Sequence, residues 1–137
     1  MSSEEILHYD HSGNGNHLYK KDVSLPDSGA RTAFDTGAVR DSMQGKGLPS
    51  MIPTCAIMAM ARRFEDGASK YGPDNWRKGI PTSRYCDAAY RHLMQCRDND
   101  TTEDHFGAVL WNMACWLWTL KAIEDKKLPQ ELNDIHN

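Results

Sequence analysis

The apolar residues of this chain fall into a helical rhythm only after about residue 52. Before residue 36, Gly, Asn, Ser, Asp and His alternate with few large apolar side chains and hold no period, which predicts a flexible or extended arm. Residues 36–50, TGAVRDSMQGKGLPS, read as a loop or a short turn followed by a loop. A first helix is then expected from residue 52 or 53 to 71: Ile57, Met60, Ala61, Phe64, Ala68 and Tyr71 recur near every 3.6 residues. Arg62, Glu65, Asp66, Ser69 and Lys70 fill its other side, and Gly72 and Pro73 stop it.

A second helix is expected over 83–97, with Thr82 or Ser83 as N-cap, an apolar stripe of Tyr85, Ala89 and Leu93, and Asp98, Asn99 and Asp100 at its end. A third should run from about 102 to 125, capped by Asp100, Thr101 or Thr102. It is apolar nearly all round, from Phe106 through Trp111, Trp116 and Trp118 to Leu120. A helix with so little polar face belongs at the centre of a core, in a subunit interface, or both. The expected fold is therefore all-α, a small bundle of three main helices. Residues 1–35 form its arm, 36–128 the helical domain and 129–137 a tail.

Composition narrows the function. At 137 residues with a formal charge of −3 and pI near 6, the chain is one domain's length and has no general pull toward a nucleic-acid polymer or an anionic membrane. No apolar run can span a bilayer, and the start MSSEEILHYDHSGNGN lacks the basic-then-apolar layout of a secretory signal, so a cytoplasmic location is expected. Cys55, Cys86, Cys96 and Cys115 are scattered singly, which reads as reduced core thiols rather than a disulfide or zinc framework.

Glu65, near the end of one helix, and Asp104, near the start of another, can converge on a divalent cation, because antiparallel helices bring such ends together and oxygen ligands suit Mg²⁺ or Mn²⁺. Each also has a plainer reading. Glu65 can pair along its helix with Arg62 or Ser69, and Asp104 can sit in a first turn to complement the helix dipole. Asp87 with Arg91 is an i,i+4 pair that serves either as a surface ion pair or as a ligand beside a phosphate clamp. Trp76 in the connector PDNWRKGIPT is either a core plug or a stacking surface. Asn112 on the apolar helix would cost about 1–3 kcal/mol if buried unpartnered, so it should bond a neighbouring helix or a ligand. His92 reads by default as a half-buried, hydrogen-bonded histidine. Gly45 and Gly47 around Lys46 suit either a phosphate-facing loop or an ordinary turn.

Six segments in order, TGAVRD, GKG, FEDGASKYG, NWRKGIP, SRYCDAAYRHL and EDHFGAVLWN, resemble the phage dATP/dGTP diphosphohydrolase family, also called MazZ-like, over roughly residues 36–118. The resemblance implies an all-α fold related to the MazG-like nucleotide pyrophosphatases, which cut a deoxynucleoside triphosphate to monophosphate and pyrophosphate. It also implies a role in phages that replace adenine by 2-aminoadenine. The paired ExxE and ExxD of MazG-like enzymes are not spelled here: Ala68 follows Glu65, and Phe106 follows Glu103, at the corresponding spacing, so the metal ligands must be assembled from Glu65, Asp66, Asp87, Glu103, Asp104 or His105.

On this reading Glu65, Asp87 and Asp104 hold Mg²⁺ or Mn²⁺, while His92 and His105 orient water or a carboxylate beside the catalytic Glu65 and Asp104. Lys46, Lys70, Arg84 and Arg91 clamp the triphosphate, and Asn75, Trp76 and Asn112 contact base or sugar. A homo-oligomer, dimer or tetramer, is expected. The contrasting classes are a nucleotide sensor that has lost hydrolysis and a protein-interaction module on an exposed apolar helix.

Overall fold

The computed structural model describes residues 8–9, 17–18, 27 and 29–135. Most of the arm expected before residue 36 thus lies outside the described residues. The chain divides into two compact units, Met1–Gly47 and Leu48–Asn137.

In the first unit, strand β1 (His8–Tyr9) pairs antiparallel with β2 (His17–Leu18), and β3 (Arg31–Ala33) with β4 (Val39–Asp41). The second pair is a hairpin in the register Arg31 to Asp41 and Ala33 to Val39, closed by Phe34 N–H donating to Ala38 O at 2.9 Å. Residues 39–41 are therefore strand where a loop was expected. Strands this short display too little alternation to be seen as a period. Ion pairs hold the ends: Arg31 lies 2.6 Å from Asp27 and 3.4 Å from Asp41. Lys46, expected as a triphosphate clamp, instead sits 2.6 Å from Asp41. Its flanking Gly45 and Gly47 have φ of +79° and +80°, a backbone that glycine adopts without penalty.

In the second unit the three expected helices form: α1 (Thr54–Tyr71), α2 (Thr82–Arg97) and α3 (His105–Glu124). α3 is central and packs against both of the others. Its inward seam is Ala108, Asn112, Cys115, Thr119 and Ala122, all buried. The alternating steps of four and three keep these side chains in line, and their small size lets neighbouring backbones approach closely. The large apolar residues of α3 do not all follow: Phe106, Met113 and Leu117 are 70%, 48% and 70% exposed along another stripe. α1 likewise buries no residue fully. The core of this unit is thus thinner than the hydrophobic pattern alone implies.

Both later helix starts differ from expectation. Thr82 and Ser83 are the first helical residues of α2, whose N-cap position is Pro81. Without a side-chain cap there, Asp134 supplies one from the tail: its carboxylate accepts from Ser83 N–H at 2.8 Å and from Ser83 Oγ at 2.7 Å. α3 starts three residues later than expected because Asp104 is its N-cap, accepting from Gly107 N–H at 2.9 Å. Asp100, expected among the caps, instead accepts from Thr102 N–H at 2.8 Å and Thr102 Oγ1 at 2.6 Å within the connecting turn.

Candidate active site

α1 and α2 each turn one polar stripe toward a shared cavity of about 680 Å³. From α1 come Arg63, Asp66 and Lys70, spaced by three and four residues. From α2 come Arg84, Asp87, Arg91 and His92, again one helical face. Asn75 and Trp76 enter from the α1–α2 connector, Glu103 from the turn before α3, and Trp111 and Asn112 from α3 itself. The lining therefore combines four permanent cations, three carboxylates and an aromatic wall.

The aromatic wall is rigidly packed. Trp76 meets Trp118 edge-on with centroids 4.9 Å apart and Phe64 at 5.5 Å, and the Arg77 guanidinium lies 4.4 Å from its ring centroid. Trp76 is thus a core plug that also borders the cavity. Phe64 and Tyr85 each stand 6.0 Å from Trp111, whose buried indole N–H has no hydrogen-bond partner among the described residues. Burial pushes the Tyr85 phenol up to about 12, so it stays protonated. Asn112, expected to bond a neighbouring helix or a ligand, donates an amide N–H to Ala108 O of its own helix at 2.8 Å.

Beside the cavity three donors face one another. His92 Nδ1 is 2.9 Å from His105 Nδ1, and Glu103 Oε1 lies 3.3 Å from the former and 3.4 Å from the latter. Glu103 Oε2 turns to Arg63 at 3.7 Å. Burial is the main cause lowering the His92 pKa, with Glu103 opposing it, so this imidazole is neutral at pH 7. Asp100 Oδ1 stands 3.3 Å from the buried His105 Nε2. The two hydrogen bonds from Thr102 and the neighbouring His105 hold the Asp100 carboxyl down at about 2. His92, Glu103 and His105 could together hold a metal ion.

The expected residues sort accordingly. Lys70, Asn75, Trp76, Arg84, Asp87, Arg91, His92 and Asn112 line one cavity. Glu65 is exposed on α1 outside that lining, Asp104 is spent on capping α3, and His105 sits behind His92 rather than in the wall. Arg63 enters unforeseen, while Asp66 and Glu103 come from the wider set of candidate ligands. Arg63 and Asp66 carried a sequence signal, since both lie on the helical face that Lys70 marks.

A family model described as dATP/dGTP diphosphohydrolase, N-terminal, matches residues 36–128. No curated protein and no solved structure gives a match.

Proposed function

Because the chain belongs to the dATP/dGTP diphosphohydrolase family, we propose that its helical cavity hydrolyses purine deoxynucleoside triphosphates, dATP, dGTP or both, to the monophosphate and pyrophosphate. The observation that carries this reading is the lining: Arg63, Lys70, Arg84 and Arg91 stand around the same space as Asp66 and Asp87. A triphosphate needs clustered cations for its oxygens, and charge-assisted bonds from guanidinium groups suit them in pairs. Mg²⁺ or Mn²⁺ bound to a nucleotide needs only one or two protein carboxylates, the rest of its shell coming from phosphate and water. Asp66 and Asp87 fit that requirement. An ion held there would neutralise phosphate oxygens and lower the pKa of an attacking water.

The residues then divide the work. Arg84 and Arg91, one above the other on α2, bind the departing β- and γ-phosphates and stabilise their charge as the bond to the α-phosphorus breaks. Water attacks that phosphorus, and its proton passes to a cavity carboxylate, Asp66 or Asp87. Trp76 and Trp111 offer aromatic surface to the base, and Asn75 and Asn112 offer amides to base or sugar. The exposed Phe106, Met113 and Leu117 stripe supports assembly as a homo-oligomer, dimer or tetramer. Among the described residues no helix is long and apolar enough to cross a membrane, in keeping with work in the cytoplasm of a phage-infected host on nucleotide supply such as 2-aminoadenine DNA synthesis.

The test is incubation of the pure protein with each deoxynucleoside triphosphate and Mg²⁺ or Mn²⁺, followed by pyrophosphate detection. Release from dATP or dGTP is expected. No pyrophosphate from either purine would overturn the reading.

A further inference from the structure

We propose that His92, Glu103 and His105 form a binding site for a first-row transition-metal ion, chemically distinct from the oxygen site for a nucleotide-bound Mg²⁺. The assignment stands on these three donors and does not need the hydrolysis proposed above.

The first argument is spacing. The donor atoms His92 Nδ1, His105 Nδ1 and Glu103 Oε1 are separated by 2.9, 3.3 and 3.4 Å. Ligands on one ion with bonds of about 2.1 Å stand roughly 3.0 Å apart at cis-octahedral angles and roughly 3.4 Å apart at tetrahedral ones. The triangle already has the dimensions of one face of a coordination shell, so an ion enters with little rearrangement.

The second argument is orientation. His105 is 2% exposed, and its Nε2 faces Asp100 Oδ1 at 3.3 Å, an electrostatic contact rather than an aligned hydrogen bond. A carboxylate on that side keeps the proton on Nε2 and leaves the Nδ1 lone pair for the triangle. Asp100 is itself fixed by two hydrogen bonds from Thr102. Glu103 is steered likewise: Arg63 draws Oε2 aside at 3.7 Å while Oε1 faces both rings. A chance meeting of two histidines and a glutamate would not bring a supporting group behind two of the three donors.

The third argument is donor chemistry. Two imidazoles and a carboxylate favour Mn²⁺, Fe²⁺, Co²⁺ or Zn²⁺ and offer little to Mg²⁺, which demands oxygen. Three protein donors also leave positions open. Since His92 and Glu103 line the cavity, those open positions adjoin its space.

The experiment titrates metal-stripped, full-length protein with Co²⁺ alone, following visible absorption, and repeats it for variants whose circular dichroism matches the parent. One Co²⁺ per chain should saturate the band, Zn²⁺ should displace it, and Mg²⁺ in large excess should not. Glu103→Gln and His92→Gln should abolish the band. Asp100→Asn, which keeps all three donors, should weaken binding about 10–100-fold, the usual loss when the carboxylate behind a ligating histidine goes. No band in the parent, an undiminished band in Glu103→Gln and His92→Gln, or displacement by Mg²⁺ at concentrations comparable to Co²⁺ would overturn the site. The two proposals fail separately: a parent that binds Co²⁺ but releases no pyrophosphate supports this site and sinks only the hydrolysis.

Discussion

At Gly107 α3 approaches the backbone of α1 closely, and replacing it by Ala tests whether that approach contributes to the stability of the helical unit. A Cβ built there meets the Ala59 carbonyl oxygen at 2.9 Å and collides with the Asp104 carboxylate that caps α3. The first contact is with backbone and cannot be relieved by a rotamer change. Over-packing of this kind costs about 1–3 kcal/mol, and disturbing the cap adds up to about 1 kcal/mol. Against this, Ala gains up to about 1 kcal/mol over Gly in helix propensity, less in a first turn. The net expectation for Gly107→Ala is a loss of about 1–3 kcal/mol, with a Tm fall of about 4–8 °C per kcal/mol in a unit of this size. Urea and thermal unfolding of Gly107→Ala, Asp104→Ala and the double variant resolve the terms. Asp104→Ala alone should cost about 1 kcal/mol, and the double variant should cost less than the two singles added, because the clashing carboxylate is gone. A Gly107→Ala protein as stable as the parent would refute the close approach of α1 and α3 at Ala59.

Four further outcomes follow from the same geometry. Arg84→Ala and Arg91→Ala should each lower kcat/KM for a purine triphosphate about 10–100-fold, the effect of losing a charge-assisted bond worth about 1.5–3 kcal/mol; steady-state pyrophosphate release checks this. Asp66→Asn should remove most activity while the neighbouring Glu65→Gln keeps it, because only Asp66 lines the cavity; equal losses would return Glu65 to the site. Asp134→Ala should lower Tm at pH 7 by uncapping α2. The hydrogen bonds from Ser83 depress the Asp134 pKa, so its contribution is present above the unfolded carboxylate value of about 3.9 and fades as pH falls through the folded one. The Tm difference from the parent should therefore shrink below about pH 4. Phe106→Lys with Leu117→Lys should convert an oligomer to monomer in size-exclusion chromatography with light scattering, since both side chains are 70% exposed in one chain; an unchanged mass would remove this stripe from the interface.

The helices were legible because α1 and α2 carry a 3.6-residue stripe, and because α3 is long and apolar. What the pattern hid was which side of α3 faces inward. Phe106 and Leu117 are more hydrophobic than Ala108 and Cys115, yet the small pair is buried, since close helix packing selects volume rather than hydrophobicity. The site shows the same limit. Glu65 and Asp66 are adjacent in sequence and both exposed but differ by about 100° around the helix, enough to put Asp66 in the cavity lining and Glu65 outside it. Asp104 was visible as a helix-start carboxylate, and the structure uses it as one. Glu103 carried no periodic signal, because it lies in a turn and its role comes from three other elements. The tail cap was beyond any local pattern: Asp134 acts on Ser83, and a contact of that sequence separation leaves no trace in either segment.

Glu103 links the three helices at this site without holding them together. Its carboxylate reaches Arg63 of α1, His92 of α2 and His105 of α3 at 3.3–3.7 Å, so one exposed turn residue touches all three helices. None of these contacts is strong in water: Glu103 is 44% exposed, and exposed pairs contribute at most about 1 kcal/mol each. The turn must therefore be shaped by something else. Asp100 does so, accepting from Thr102 N–H and Oγ1 and facing His105 Nε2. The geometry of the His92–Glu103–His105 triangle thus depends on the short turn between α2 and α3, which places Glu103, as well as on the packing of α2 against α3, which places the two histidines. Substitutions that loosen this turn, Thr102→Ala first among them, should disorder the triangle while leaving the helices folded, because the buried seam from Ala108 to Ala122 lies wholly within α3 and does not involve the turn.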